Sequence, residues 1–114
     1  MKIEKFHIYL ADLGNKFGNE LGKVRPVIVI QTDLLNRREH VTTIVCPITS
    51  RINLNLDILR VHLNSPKTGL TAPSDILLDQ IRAIDNLRFK KHLGSISPLE
   101  SEKIKENLNI LILE

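Results

Sequence analysis

Arg25 stands between Val24 and Pro26 at the mouth of an otherwise apolar run, Val24 to Ile30. A charge in that position must reach solvent or bind something, because burying it unpaired is costly. The next apolar run ends in Thr49-Ser50-Arg51, two hydroxyls and a guanidinium. A third carries Asp79-Gln80-Ile81-Arg82. At a strand period of two, Gln80 and Arg82 share one face and Asp79 and Ile81 the other. Asp79 and Arg82 read equally as a structural salt bridge or as a solvated face. Arg82, Arg88, Lys90, Lys91 and His92 make a basic cluster that suits phosphates, and equally an ordinary solvated turn. These residues give an Arg and a Thr at adjacent strand ends. They do not by themselves give a reaction.

Other chemistries lack their residues. No CxxC, HExxH or closely spaced His/Asp cluster offers a metal site, and there is no Walker loop or GxGxxG. The histidines His7, His40, His62 and His92 are scattered singly. Two of them meeting in space would make an acid–base pair for RNA; a lone histidine is more often a surface or core residue. The single cysteine, Cys46, lies in the apolar run Thr43–Pro47 and reads as a buried small hydrophobe. The net charge of +3 permits a polyanionic partner without demanding one. No apolar run approaches the roughly 18 residues of a membrane span, and no charged-then-apolar leader opens the chain. The expectation is a cytoplasmic protein in a reducing compartment, with no membrane partner.

The elements that must position these residues are mostly strands. Ile3 to Leu13 alternates, with Phe6, Ile8 and Leu10 opposite His7, Tyr9 and Ala11. Gly14 to Lys23, with three glycines and two asparagines, is a long flexible loop. Val24 to Ile30 follows as a central strand with Pro26 at its entrance or at a bulge. Thr32 to Asn36 reads as a helical turn, Arg37 to His40 as a charged loop, and Val41 to Ile48 as a strand. Leu56 to Leu63 alternates again, placing Arg60 and His62 on one face and Val61 and Leu63 on the other. Ser65 to Gly69 is a turn cluster, and Asp75 to Ile84 reads as the last long strand. The period then changes. Ser97, Pro98 and Glu100 form a capping box with proline at the first helical position, and Ile104, Leu108 and Leu111 share a helical face. With 114 residues, 42% hydrophobic and only 4% aromatic, the chain suits one domain over 1–114. The class expected is mainly β with a C-terminal helix, in a small, strongly bent antiparallel barrel.

Three segments resemble the MazF/PemK toxin family. Gly18-Asn19-Glu20-Leu21-Gly22-Lys23-Val24-Arg25-Pro26-Val27-Ile28-Val29-Ile30 is similar to its G-x-E-x-G-x-x-R-P-V-x-I signature. Val45-Cys46-Pro47-Ile48-Thr49-Ser50 resembles its strand ending in I/V-T-S/G. Ser74-Asp75-Ile76-Leu77-Leu78-Asp79-Gln80-Ile81-Arg82-Ala83-Ile84-Asp85 resembles S-x-I-L-L-x-Q-I-R-T-I-D. Order and spacing agree from Ile8 to the terminal helix. The resemblance implies an SH3-like barrel of the CcdB/PemK/MazF type, acting as a homodimer. It implies a sequence-selective endoribonuclease for single-stranded RNA that needs neither metal nor cofactor. It also implies a cognate antitoxin whose flexible acidic tail lies across the RNA groove. On the matching positions it gives Arg25 and Thr49 as catalytic residues, with Glu20 in the first loop. RNA contacts fall at Asn19, Lys23, Asn36, Arg51, Gln80 and Arg82, and the loops Gly14–Lys23, Asn36–His40 and Asn53–Leu56 choose the RNA sequence.

The chain departs from the family pattern in two places. Phe6-His7 stands where many members have Gly-Asp or Gly-Glu, removing a turn glycine at the first strand. The His, Arg and Asp used by the plasmid PemK branch read here as Asn19, Leu77 and Asp79, which favours the Arg25/Thr49 pair. Two rivals remain at this level: a CcdB-like gyrase poison, and a non-catalytic interaction domain on the same barrel. The gyrase reading needs a terminal Trp where this chain has Leu111-Ile112-Leu113-Glu114. Cleaved RNA would separate both rivals from the enzyme.

Overall fold

The computed structural model describes residues 1 to 114. Seven antiparallel strands form one bent sheet: β1 His7–Asp12, β2 Val24–Val29, β3 Thr42–Thr49, β4 Arg60–Leu63, β5 Ser74–Leu77, β6 Arg82–Asp85 and β7 Phe89–Ser95. Their order is β4-β5-β3-β2-β1-β7, with β6 also paired to β3. The first half of β3 takes β6 as partner, through Thr42↔Asp85 to Val45↔Arg82. Its last residues take β5, through Ile48↔Ile76 and Thr49↔Asp75. The single long strand expected over Asp75 to Ile84 is therefore two strands, separated by a 3₁₀ turn at Leu78–Gln80. Likewise only Arg60–Leu63 of the expected strand Leu56–Leu63 is paired. Strand β7 was hidden in the basic cluster, because its middle residues Lys90, Lys91 and His92 are exposed and polar.

The sheet does not close into a barrel, since its outer strands β4 and β7 are not paired with each other. A 3₁₀ turn at Pro66–Thr68 packs on β7 instead, where two glycines permit backbone contact. A Cβ on Gly94 would stand 2.4 Å from the Lys67 carbonyl oxygen, and one on Gly69, at φ +73°, 2.0 Å from that of Leu93. Strand alternation sends side chains to two clusters. Ile8, Ile28, Cys46, Ile48, Val61, Leu63, Ile76 and Leu78 join Ile104 of the terminal helix on one face. Tyr9, Ala11, Val27, Val29, Val45 and Ile84 fill the other.

The terminal helix, whose neighbours include β4, runs from Pro98 to Leu108 and continues as a π turn over Asn109–Leu113. A short helix α1, Asp33–Asn36, precedes it in the chain, making the terminal helix α2. Its capping box is complete: the Glu100 amide donates to Ser97 Oγ and the Ser97 amide to the Glu100 carboxylate. Such a cap contributes about 1 kcal/mol. Ile104 is fully buried, worth roughly 1.5–3 kcal/mol over an exposed side chain.

The missing turn glycine is replaced without loss of the turn. Phe6 takes the left-handed conformation itself, at φ +63°. Its amide donates to the Val29 carbonyl at 2.7 Å, and its ring packs against the core under Lys5 and Lys105. Core contact and cation–π attraction oppose the backbone strain that a non-glycine residue suffers there.

Candidate active site at the β2–β3 strand ends

The β2–β3 pairing runs from Val29↔Val45 to Val27↔Pro47 and stops. Pro26 and Pro47 lack the N–H groups a ladder needs, so the strand ends are released at this point. Beyond that point Arg25, paired with Ala11 of β1, lines a cavity with Ile48 and Ser50, the residues on either side of Thr49. Thr49 itself is paired with Asp75 of β5, which is paired with His62 of β4. Thr49, Asp75 and His62 thus form a lateral row across β3, β5 and β4, at about 5 Å per strand.

Arg25 is half-buried and makes no ion pair; its Nε donates to the Gly22 carbonyl at 2.9 Å. Thr49 is 7% exposed, and its Oγ1 accepts the Arg51 amide at 3.1 Å, which leaves the hydroxyl hydrogen free to donate. Lys23 and Arg25 help line a cavity of about 280 Å³ with Ser50, Thr71 and Ser74. Lys23 precedes β2 at φ +65°. Its amide and carbonyl bond Gly14 and Leu13, closing the base of the first loop. Arg88 NH1 reinforces that base by donating to the Asp12 carbonyl at 3.0 Å.

Glu20 does not line the cavity beside Arg25. It belongs to a neighbouring hollow of about 340 Å³ with Leu21, Pro47, Asp79, Gln80 and Arg82. Gln80 holds the loop above that hollow: its Oε1 accepts the Leu21 amide at 3.1 Å and its Nε2 donates to the Asn19 carbonyl at 3.3 Å. Asn19, Lys23 and Arg51 are exposed, and Gln80 and Arg82 partly so. Asn36 departs from expectation. It is 9% exposed, and its amide is committed to the Gln31 carbonyl and Asp33 Oδ1 while accepting from Gln31 Nε2. A side chain engaged in this way caps its own turn and is not available to RNA.

Two histidines do meet. His7 Nδ1 and His92 Nε2 stand 2.9 Å apart, with Glu4 Oε2 3.3 Å from His7 Nδ1. At that separation they bond each other and leave no room for a phosphate between them. They also lie toward the opposite end of β1 from Ala11, the partner of Arg25. Burial pushes the Cys46 thiol up to about 12, so it is inert as a nucleophile. No three His, Cys, Asp or Glu side chains come together as a metal ligand set.

The charge cluster at the end of the row was not legible in the sequence. Asp75 is fully buried. It receives His62 Nδ1 on Oδ1 at 2.5 Å, and Arg60 NH1 at 2.9 Å and the Asn53 amide at 2.8 Å on Oδ2. The available signal was the pairing of Arg60 and His62 on the polar face of β4, but their partner lies on another strand. Burial pushes the Asp75 carboxyl up; hydrogen bonds from His62, the Asn53 amide and Arg60 outweigh it and hold the group below the ordinary 3.8. Because its folded value is depressed, the stability it contributes is complete above the unfolded value and is lost as pH falls through the folded one. Thermal stability followed downward from about pH 5 is expected to fall more steeply for the wild type than for Asp75→Asn. Equal slopes would show that the carboxylate gains nothing from its partners.

The family model of the PemK-like, MazF-like toxins of type II toxin–antitoxin systems matches residues 4–112. The chain belongs to this family. Solved relatives share its fold at low identity. MazF from Deinococcus radiodurans superposes with a TM-score of 0.81 at 21% identity, over 100% of this chain and 99% of that one. A MazE–MazF structure from the same organism gives 0.76 at 21%, over 98% and 96%. A mycobacterial endoribonuclease in complex with its cognate antitoxin gives 0.71 at 18%, over 96% and 91%. This PemK-like toxin therefore carries the relatives' mainly β fold with its C-terminal helix. It has no helix long and apolar enough to cross a membrane.

Proposed function

We infer that this toxin is a sequence-selective endoribonuclease that cuts single-stranded RNA, such as mRNA, without a metal. The observation that supports the reading is the partly buried Arg25, without an ion pair, sharing a cavity with Ile48 and Ser50, which flank Thr49 in the chain. In this reading the substrate's 2′-oxygen attacks the adjacent phosphorus as the P–O5′ bond breaks, leaving a 2′,3′-cyclic phosphate and a 5′-hydroxyl. Charge growing on the non-bridging oxygens meets the fixed guanidinium fork of Arg25 and the Thr49 hydroxyl. The guanidinium stays protonated and cannot take up a proton, so Arg25 supplies charge and steadies the departing oxygen, which takes its proton from water. Glu20, exposed and without an ion pair on the loop held by Gln80, is the carboxylate assigned to receive the 2′-proton. Lys23, Arg51 and Arg82, with the amides of Asn19 and Gln80, line the path of the flanking nucleotides.

The working unit in this reading is a homodimer, in which a second copy covers apolar side chains such as Ile110, Ile112 and Leu113 that α2 leaves exposed. A partner antitoxin is supported by the antitoxin complexes among the relatives; in this reading its acidic flexible tail competes with RNA for the same basic surface. Its place of action is the cytoplasm, where mRNA is found.

The test is incubation with a long single-stranded RNA in excess EDTA, followed by end mapping. Discrete cuts bearing cyclic phosphates are expected at an undiminished rate. Activity lost in EDTA and restored by divalent ions would refute the metal-free mechanism. Intact RNA with a folded protein would move the assignment to gyrase poisoning or to binding alone.

A further inference from the structure

The segment Ser50–Leu59 follows Thr49 directly and has no regular secondary structure of its own, yet three hydrogen bonds, to the side chains of Arg60, Asp75 and Asn107, hold its first eight residues, and the Leu78 amide holds its end at the Leu59 carbonyl. Arg60 NH1 donates to the Arg51 carbonyl at 2.7 Å while also holding Asp75. The Asn53 amide donates to Asp75 Oδ2, and Asn107 Nδ2 of α2 donates to the Asp57 carbonyl at 2.8 Å. Two of these ties converge on one buried carboxylate, which is also Thr49's neighbour across the β3–β5 pairing. The third partner of that carboxylate, His62, turns Nδ1 to it and leaves Nε2 with no hydrogen-bond partner. Buried charges are expensive unless paired, and replacing such a network with apolar residues is often neutral or stabilising. Stability alone therefore gives a poor account of a salt-bridged carboxylate in this row. The segment it holds presents Ile52 and Leu54 to solvent and carries Arg51 beside Thr49.

We propose that Asp75, Arg60 and His62 are positioning residues for the RNA-cutting site, clasping segment 50–57 so that Thr49 is aimed and the flanking bases are read. This rests on the endoribonuclease reading. The clasp fixes the Arg51 backbone at its carbonyl, and the same residue's amide fixes the lone pair of Thr49 Oγ1. Released, the segment would keep its contacts with RNA only on average. Selectivity would then fall before binding does, since a displacement of about 1 Å at a reacting centre can cost about a hundredfold in rate.

The experiment uses the full-length protein with Asp75→Asn. Arg60→Gln serves as a second variant, because it leaves Asp75 its bonds from His62 and Asn53 if the first fails to fold. Amide hydrogen exchange over 50–57 is measured alongside end-mapped cleavage. Exchange there is expected to quicken about tenfold, with the strand cores unchanged. The ratio of cutting at the best and next-best sites is expected to fall about tenfold, with kcat reduced more than KM is raised. Unchanged exchange in both variants would overturn the clasp. So would a loosened segment, or a lowered melting temperature, with wild-type selectivity and kcat, because a merely structural role predicts that outcome. A wild-type protein that cuts no RNA while the variants loosen 50–57 would support the clasp and overturn the nuclease reading instead.

Discussion

Arg25→Ala is expected to lower RNA cleavage by about a thousandfold while the protein stays folded. Removing one preorganised donor aimed at transition-state charge typically costs about 10²–10³ in rate, and Arg25 is the partly buried cation of the cavity, where Lys23 is exposed. Its structural duties are small. It touches the Gly22 carbonyl through Nε and pairs with no carboxylate, so truncation leaves no buried charge unpaired. The stability change is therefore expected to stay within about 1 kcal/mol. Arg25→Lys should recover little, because an ammonium lacks the planar pair of donors that a phosphate accepts. Single-turnover cleavage and a thermal melt on the same preparations decide the matter. A variant cutting at wild-type rate would remove Arg25 from the mechanism.

Gly94→Ala is expected to be strongly damaging to the fold, although Gly94 itself has no left-handed backbone to strain. The added methyl would meet the Lys67–Thr68 backbone at 2.4 Å, and backbone cannot step aside as a side-chain tip can. Either β7 leaves β1, where Gly94 faces Ile8, or the Pro66–Thr68 turn lifts from β7. A cost of about 2–4 kcal/mol follows, lowering the melting temperature by roughly 10 °C or more. Gly18→Ala is the control. Its Cβ would meet nothing within 4 Å, so only the left-handed backbone at φ +56° resists it, by about 1–2 kcal/mol. Equal melting temperatures for the two variants would show that the turn and β7 are not in close contact.

These expectations draw on features that were unequally legible beforehand. The terminal helix was readable from Ser97, Pro98 and Glu100, because capping is local in sequence. Strand β1 was readable from alternation, β2 and β3 from their apolar runs, and Arg25 and Thr49 from their odd positions at the ends of those runs. The break at Leu78–Gln80 was not readable. Leu77-Leu78-Asp79 has the composition of a continuing strand, and only the change of partner edge along β3 forces the turn. Nor was β7, whose lysines mimic a loop. The bent antiparallel sheet with its terminal helix was expected and is present; that a packed turn stands where a last ladder would close it was not readable. Asn36 looked available in a loop near charged residues, but its partner Gln31 is a buried side chain that sequence spacing does not expose. Asp75 drew no notice because the residues that neutralise it lie 13 and 15 positions away.

The two hydrogen bonds from Gln80 set the kinetics of the loop they hold. Asn15 to Glu20 are exposed, so little apolar burial assists those bonds. At about 1 kcal/mol each they leave the loop tip open in on the order of a few per cent of molecules. Loop motions of this kind run on roughly nanosecond to microsecond timescales, whereas enzymes commonly turn over about 1–10³ times per second. If the protein is the nuclease proposed, the tip opens and recloses many times within a single catalytic cycle and carries Glu20 with it. Solvent viscosity should leave turnover untouched, and stiffening the tip would change how long an RNA stays more than how fast it is cut.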